Sequence, residues 1–347
     1  MKTILIHAAD GNTFDPNARD GISDPGIFLR DKLFSLGYRL EMSADHSLDE
    51  CAWVFFYDAT SVLRYSGLRG IGRWMRDHLL KRRLLRNLYI ECRQAGLAQR
   101  MALFLWEPPS TTPANYDPRL HGLFPIVFTW NDALVDGHKF HKIFHPQPRQ
   151  FPDIPAIPFK QKKLLVNISA NKLTRHPREL YSARRATIRH FERMRPDDFD
   201  LYGVGWDRPA NLVERIVPPA WRRYPSYRGT VRNKWDVFPR YRFSVCYENI
   251  RDEPGYVTEK VFDSMRAGCV PIYWGASNIT DYVDAGTIID RRQFGSDREL
   301  EDFITRVTKN EYERFQTNIK TYLAGERFAR FLPPIFADTI ITILNLA

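Results

Sequence analysis

Short, almost continuous apolar runs recur along the chain, with amphipathic stretches between them. The runs in the N-terminal half are TILIHA, WVFFYDA, ALFLWE and PIVFTW. Runs without polar alternation are typical of parallel strands that are covered on both faces. The stretch GIFLRDKLFSLG, which follows the first run, has helical spacing instead. We therefore predict an α/β sheet domain in the N-terminal half.

The same alternation restarts after a proline-rich connector, HPQPRQFPDIPAIPFKQKK, which is typical of a semi-rigid linker. Further strands are predicted at LLVNIS, FDLYG, RFSVCYE, VPIYWG and TIID. Helices are predicted at 179–194, 258–267, DRELEDFITRV and, as a last apolar helix, ARFLPPIFADTIITILNLA. We predict an α/β fold with two Rossmann-like doubly wound domains that face each other across a cleft. The predicted parts are residues 1–150, residues 151–325, and a C-terminal helix within 326–347 that could pack back on the N-terminal domain.

Length and composition are consistent with two globular domains. The chain has 347 residues, and 44% of them are hydrophobic. No apolar run approaches the roughly 20 residues that span a bilayer, and the N-terminal run is too short for a signal peptide. The four cysteines show no metal-ligand spacing and lie mainly in or beside apolar runs. We expect buried free thiols and a cytoplasmic location.

The net charge of +10 is concentrated in residues 64–100. The basic residues of this window are Arg64, Arg69, Arg73, Arg76, Lys81, Arg82, Arg83, Arg86, Arg93 and Arg100. A solvated helix face is the ordinary interpretation of such a run. The alternative is contact with an anionic partner, which would make the protein peripheral to an anionic membrane. We expect no nucleic-acid partner.

The stretch YENIRDEPGYVTEKVFDSMRAGCVPIYWG indicates a nucleotide site. A strand leads through a turn to an amphipathic helix, with Thr258 as the expected N-cap and Gly268 at the end. Lys260 in the first turn opposes the helix dipole, at a cost of a few tenths of a kcal/mol. An anion held between Lys260 and the free backbone N–H groups would reverse that sign, and a diphosphate is the natural candidate. Glu259 beside it could bind ribose hydroxyls.

This stretch, extended to begin at YRFSVCYEN, resembles the donor motif of the α-1,3/1,4-fucosyltransferases, glycosyltransferase family 10, of bacterial type. The family pattern is approximately Y-K-F-x-x-x-F-E-N-S, a short loop, D/G-Y-V-T-E-K, and later V-P-I/V-x-x-G. The resemblance implies a GT-B fold and inverting transfer of L-fucose from GDP-fucose to a hydroxyl of an N-acetylglucosamine or N-acetyllactosamine type oligosaccharide or glycolipid. By motif position, the residues that would contact the diphosphate and ribose of GDP are Asn249, Tyr256, Glu259 and Lys260.

A second donor element lies upstream, at VNISANKLTRHPRELYSARRATIRHFE. It resembles the family's helix with a phosphate-binding arginine, for which we choose Arg184, with Arg185 or Arg178 as alternatives. A guanidinium suits a diphosphate because its fork binds two oxygens at once. Gly203 in LYGVGW either lets the backbone approach the nucleotide or only makes a turn.

Glu107 is the candidate catalytic base. It follows an apolar strand and precedes Pro108 and Pro109, where partial desolvation should raise its pKa and make it a better base. Inverting transfer needs such a carboxylate to take the acceptor's proton, whereas GDP leaves without a general acid. The family carries a glutamate at an equivalent strand end. Asp10 and Asp58 also end strands and are competing carboxylates; His7 shares that edge but is expected to be a packed or surface residue.

No metal is expected. The segment DDFD contains a D-x-D but is interpreted as an acidic turn, and Lys260 and Arg184 can supply the positive charge. The resemblance likewise implies no obligatory cofactor, with GDP-fucose as the donor substrate. Aromatic residues that could stack on acceptor sugars are Tyr57, Trp106, Tyr116 and Trp130. The alternatives are a GT-B transferase for another nucleotide sugar, and a non-catalytic basic module that binds anionic membrane or nucleic acid.

Overall fold

The computed structural model describes residues 1–8, 13–59, 62, 75, 79, 87–210 and 223–347. The chain divides into two compact units. Unit 1 comprises Met1–Pro16, Ser23–His145 and Pro333–Ala347, and unit 2 comprises Asn17–Ile22 and Pro146–Leu332. Sequence predicts boundaries after residues 150 and 325, whereas the structure assigns residues 17–22 to unit 2 and extends that unit to Leu332.

Unit 1 is built on a six-stranded parallel sheet in the order β2-β1-β3-β4-β5-β6. Its strands are β1 (Lys2–His7), β2 (Tyr38–Met42), β3 (Cys51–Tyr57), β4 (Met101–Leu105), β5 (Ile126–Thr129) and β6 (Phe140–Lys142). Its described helices are α1 (Asp24–Ser35), α2 (Leu88–Gln94), α3 (Pro118–His121) and, near the C-terminus, α9 (Pro333–Ile343).

Both faces of this sheet are covered, which explains why its central strands β3 and β4 are almost continuously apolar. On one face, Ile4, Phe55 and Phe104 pack with Leu33 of α1 and Ile340 of α9. On the other face, strand residues that include Leu5 and Leu103 pack with Leu88 and Cys92 of α2. Alternate residues of each strand thus enter two separate cores. All four cysteines of the chain are buried and free, as predicted.

Unit 2 contains a five-stranded parallel sheet in the order β11-β10-β9-β7-β8. Its strands are β7 (Lys163–Ile168), β8 (Phe199–Tyr202), β9 (Tyr241–Tyr247), β10 (Val270–Trp274) and β11 (Ile289–Asp290). Its described α-helices are α4 (Tyr181–Met194), α5 (Glu259–Arg266), α6 (Asp297–Arg306), α7 (Lys309–Leu323) and α8 (Glu326–Ala329). The predicted α/β class, with parallel sheets in both halves, is confirmed.

Two helix predictions need correction. The sequence interpretation missed α7, although Thr308 and Glu311 form a capping box at its start. The apolar C-terminal segment was predicted as one helix but is divided into α8 and α9. Pro333 begins α9, where a missing N–H costs nothing, whereas Pro333 and Pro334 inside a continuous helix would break it. No helix in the described parts of the chain is long and apolar enough to cross a membrane.

Candidate functional site

The carboxyl end of β9 and the start of α5 bring together most of the predicted donor residues of unit 2. The connecting loop is fixed by its neighbours, since Arg251 N–H donates to the Arg178 carbonyl (2.9 Å) and Asp252 N–H to the Gly275 carbonyl (2.9 Å). Asp252 has φ of 61° and Gly255 has φ of 81°, so two left-handed residues turn the chain back toward α5. The strand end and the helix start thereby face the same edge of the sheet.

Glu248 is the residue that the sequence interpretation left without a role. Its side chain is fully buried and accepts hydrogen bonds from the Thr258 N–H (2.9 Å), the Thr258 hydroxyl (2.8 Å) and the Lys260 ammonium (3.0 Å). Burial raises the pKa of Glu248, and Lys260 opposes that rise. Gly275 makes room for it, because a Cβ there would lie 2.5 Å from the Glu248 Cγ. In the sequence, the role of Glu248 was indicated only by its position among the polar residues that follow β9.

Lys260 therefore has an internal counter-charge that the dipole argument did not anticipate. Its ammonium also donates to the Thr258 hydroxyl oxygen (3.0 Å) and lies 3.6 Å from Glu259, and 23% of its side chain is exposed. Burial alone would lower the pKa of Lys260, but the carboxylates of Glu248 and Glu259 raise it above its ordinary value. The ammonium is thus charged and held in place. Within the part of the chain that the structure describes, hydrogen bonds to Glu248 and Thr258 use two of its three N–H donors, and the third can bind an anionic ligand.

Thr258 stands at the N-cap position of α5, as predicted, but its side chain does not cap the helix. Its hydroxyl binds Glu248 and Lys260 instead, so the first N–H groups of α5 receive no side-chain cap from it. These donors and the adjacent ammonium have the same sign of charge, and both favour an anion.

The three candidate arginines have different partners. Arg184, in α4, is buried, and its Nη2 donates to the carbonyls of Tyr247 (2.6 Å) and Glu248 (3.2 Å). Arg178 holds the loop through the Asp252 carbonyl (3.1 Å) and the Glu253 carboxylate, and Arg185 binds Asn171 Oδ1 (2.7 Å). Arg184 thus contacts the end of β9 directly. The assignment of the diphosphate ligand to Arg184 stays a prediction.

The remaining predicted donor residues lie beside this end of β9. The amide of Asn249 approaches the Tyr256 hydroxyl at 3.5 Å, and Tyr256 is almost completely buried. Glu259 extends outward, with 47% of its side chain exposed. The structure thus brings Asn249, Tyr256, Glu259 and Lys260 together on one short segment. Their contacts with a nucleotide stay predictions.

Two other unit 2 features have structural explanations. Gly203 has φ of 125°, and a Cβ there would lie 2.0 Å from the Ser169 carbonyl oxygen, so close backbone packing requires glycine. In the DDFD segment, Asp200 lies in β8, buried, and is paired with Lys163 (2.7 Å) and Arg228 (2.7 Å). Its carboxylate is therefore committed inside the protein. Within the described ranges there is no cluster of three or more His, Cys, Asp or Glu side chains that could hold a metal.

Glu107 lies two residues after the end of β4, at the carboxyl edge of the unit 1 sheet, and is half-buried. Its carboxylate makes no hydrogen bond or ion pair with the residues that the structure describes. The competing carboxylate Asp58 lies close to it. Burial raises the pKa of Asp58 to about 6. Hydrogen bonds from Glu107, Trp106 and Asn115 oppose this rise, whereas the negative charge of Glu107 adds to it.

Two other unit 1 candidates, Trp130 and His7, are packed inside the protein. Trp130 is fully buried, and its indole N–H donates to the Trp106 carbonyl (2.9 Å), so its prediction as a sugar-stacking residue is wrong. His7 is buried and pairs with the Ser43 hydroxyl (2.7 Å), as expected for a packed histidine. Tyr57 and Tyr116 are partly exposed. Asp10 and the basic positions from Arg64 to Arg86 lie outside the described residues.

Comparison with known proteins points to one family for part of unit 2. Residues 212–326 match the model of glycosyltransferase family 10 (fucosyltransferase), C-terminal domain. An α-(1,4)-fucosyltransferase of Arabidopsis thaliana is 45% identical over 67 residues, 19% of this chain and 16% of the relative. An α-(1,3)-fucosyltransferase of Helicobacter pylori is 32% identical over 74 residues, 21% of this chain and 15% of the relative. The chain thus spans less than a fifth of the length of these relatives.

Solved structures share the fold at low sequence identity. An α1,3-fucosyltransferase crystallised with GDP is 14% identical, with a TM-score of 0.56 over 99% of this chain and 90% of that chain. An Anabaena protein, HepE, in complex with UDP-glucose is 12% identical, with a TM-score of 0.55 and full coverage of both chains. The fold is GT-B, as predicted, and these two neighbours hold different nucleotides.

Proposed function

We propose that this chain, whose residues 212–326 belong to the C-terminal domain of glycosyltransferase family 10, is an α-fucosyltransferase that uses GDP-fucose. The observation that carries the proposal is the cationic end of β9 and α5. There, the Lys260 ammonium is fixed beside the first N–H groups of α5, which receive no cap from the Thr258 side chain, and Arg184 holds the preceding strand end. This arrangement suits a diphosphate, and it lies inside or against the segment that matches the family.

In the proposed reaction, the acceptor hydroxyl oxygen attacks the anomeric carbon of fucose as the bond to the β-phosphate oxygen breaks. GDP leaves with the bonding electron pair, and Lys260, Arg184 and the α5 N–H groups stabilise its charge. Glu107 takes the proton of the hydroxyl, and the configuration at the anomeric carbon inverts. The acceptor we propose is an N-acetylglucosamine or N-acetyllactosamine type glycan, with an α-1,3 or α-1,4 linkage.

The donor is tested with a panel of nucleotide sugars. The purified chain is incubated with GDP-fucose, GDP-mannose or UDP-glucose and an array of N-acetyllactosamine-type glycans, and products are detected by mass spectrometry. We expect a mass increase of one deoxyhexose with GDP-fucose alone. UDP-glucose is the informative competitor because a structural neighbour binds it. Transfer from UDP-glucose without transfer from GDP-fucose would make the chain a GT-B transferase for another sugar.

Removal of divalent cations is expected to leave most of the activity, because side-chain cations and helix N–H groups would stabilise the leaving GDP. The measurement is the initial rate of transfer after dialysis against EDTA, with and without added Mg²⁺ or Mn²⁺. A rate that falls by more than about tenfold and recovers with Mg²⁺ would contradict this charge assignment.

A further inference from the structure

Both backbone polar groups of Glu107 are held by side chains. Its N–H donates to Asp58 Oδ1 (3.1 Å), and its carbonyl accepts from Asn115 Nδ2 (2.9 Å). Residues 108 and 109 are prolines, so neither of the two positions after Glu107 has a backbone N–H to donate. The orientation of Glu107 therefore depends on two residues that lie 49 positions before it and 8 positions after it.

A single carboxylate oxygen of Asp58 accepts three hydrogen bonds at this turn. Asp58 Oδ1 accepts from Trp106 N–H (2.8 Å), from Glu107 N–H and from Asn115 Nδ2 (2.6 Å). Asp58 itself has φ of 60°, a left-handed conformation that costs a non-glycine residue energy and persists only where the surroundings impose it. The end of β3 is thus bent so that this carboxylate lies under the end of β4.

Asn115 connects the two strand ends. It is fully buried, and its side chain accepts from Ala59 N–H (2.7 Å) while donating to Asp58 and to the Glu107 carbonyl. Its own backbone is fixed as well, because its carbonyl lies 2.6 Å from His121 Nε2. Three side-chain hydrogen bonds from one neutral buried residue make a rigid connection that solvent does not compete for.

We propose that Asp58 and Asn115 are positioning residues that hold Glu107 in place as the base for the acceptor hydroxyl. The inference rests on the proposed function, because it needs Glu107 to accept that proton. Asp58 is thereby assigned a different role from that of a competing base. Its Oδ1 is committed to three donors, whereas the Glu107 carboxylate makes no hydrogen bond within the described ranges. Proton transfer requires placement within a fraction of an ångström, and displacement by about 1 Å can lower a rate by about 10²-fold.

The variants that test this are Asp58→Gly, Asp58→Asn and Asn115→Ala. Glycine removes the carboxylate without adding strain at φ of 60°, whereas asparagine keeps an oxygen that can accept the three hydrogen bonds. We expect Asp58→Gly and Asn115→Ala to lower kcat about 10²-fold, with KM for GDP-fucose and Kd for GDP within about twofold of wild type. Asp58→Asn should recover most of kcat.

Asp136→Ala is the matched control. Asp136 Oδ1 likewise accepts three N–H groups, from His138, Lys139 and Phe140, each at 2.8 Å, but in another turn of unit 1. Asp136→Ala removes a carboxylate that accepts three hydrogen bonds, as Asp58→Gly does, but at a turn that does not include Glu107. We expect its kcat to stay within about twofold of wild type.

The decisive measurement repeats Asp58→Gly in a Glu107→Gln background. A positioning residue acts through Glu107, so adding Asp58→Gly to Glu107→Gln should not lower the residual kcat further. A general structural defect caused by Asp58→Gly would lower kcat both in the wild type and in Glu107→Gln. Loss of turnover in Asp58→Asn as deep as in Glu107→Gln would make Asp58 the base and overturn the proposal. If neither Asp58→Gly nor Asn115→Ala folds, the pair serves the fold, and the proposal is wrong. A wild-type chain without activity on GDP-fucose contradicts the proposed function, while an active wild type with equally active variants contradicts only this inference.

Discussion

Glutamine in place of Glu107 is expected to lower the turnover of GDP-fucose about 10³-fold and to leave the affinity for GDP unchanged. The amide has nearly the same shape as the carboxylate but cannot accept the proton of the acceptor hydroxyl. The predicted GDP-binding residues all lie in unit 2, so the affinity for GDP should not depend on this side chain. The measurement is kcat for transfer, together with Kd for GDP by isothermal titration calorimetry.

Glu41→Gln gives the control for this experiment. Glu41 belongs to the same unit, in β2, and its side chain is 44% exposed, so the charge change is the same at a strand position away from β4. Its turnover should match that of the wild type. Full turnover in Glu107→Gln would remove Glu107 from the mechanism, and Asp58 would be the next carboxylate to test.

Methionine in place of Lys260 is expected to weaken GDP binding about 10²-fold and to destabilise unit 2. The change removes the cation proposed to contact the diphosphate, and it leaves the buried Glu248 carboxylate without its counter-charge. Removal of one partner of a buried pair costs about 3–5 kcal/mol. Calorimetry with GDP and thermal unfolding of the free protein measure the two effects separately.

Two further variants separate binding from stability. In Lys260→Met/Glu248→Gln, neither charge remains, so we expect most of the stability to return while GDP affinity stays low. Lys234→Met breaks a second buried pair, with Asp263 of the same helix α5, and should lose stability but keep GDP affinity. Equal losses of GDP affinity in Lys234→Met and Lys260→Met would show that any damage to α5 abolishes binding, and the specific role of Lys260 would be wrong.

The sequence was sufficient for the elements that depend on local patterns. Apolar runs placed β1, β3, β4 and β5 in unit 1 and all five strands of unit 2, because a strand covered on both faces is apolar at most of its positions. The donor segment could also be recognised, because Asn249, Tyr256, Glu259 and Lys260 lie within 12 positions of one another. The short strands β2 and β6 and the polar helix α7 were missed, since their apolar signals are weak.

The partners of the charged residues were decided by tertiary structure alone. Arg184 reaches carbonyls 63 and 64 positions away, and Asp58 meets Asn115 across 57 positions. No local pattern encodes such pairs, because parallel strands distant in sequence end at the same edge of a sheet. For the same reason, the sequence interpretation gave Lys260 no counter-charge within the protein and assigned it to an anionic ligand. The sequence determined that a lysine lies in the first turn of α5, but only the packing of β9 against that helix placed Glu248 beside it.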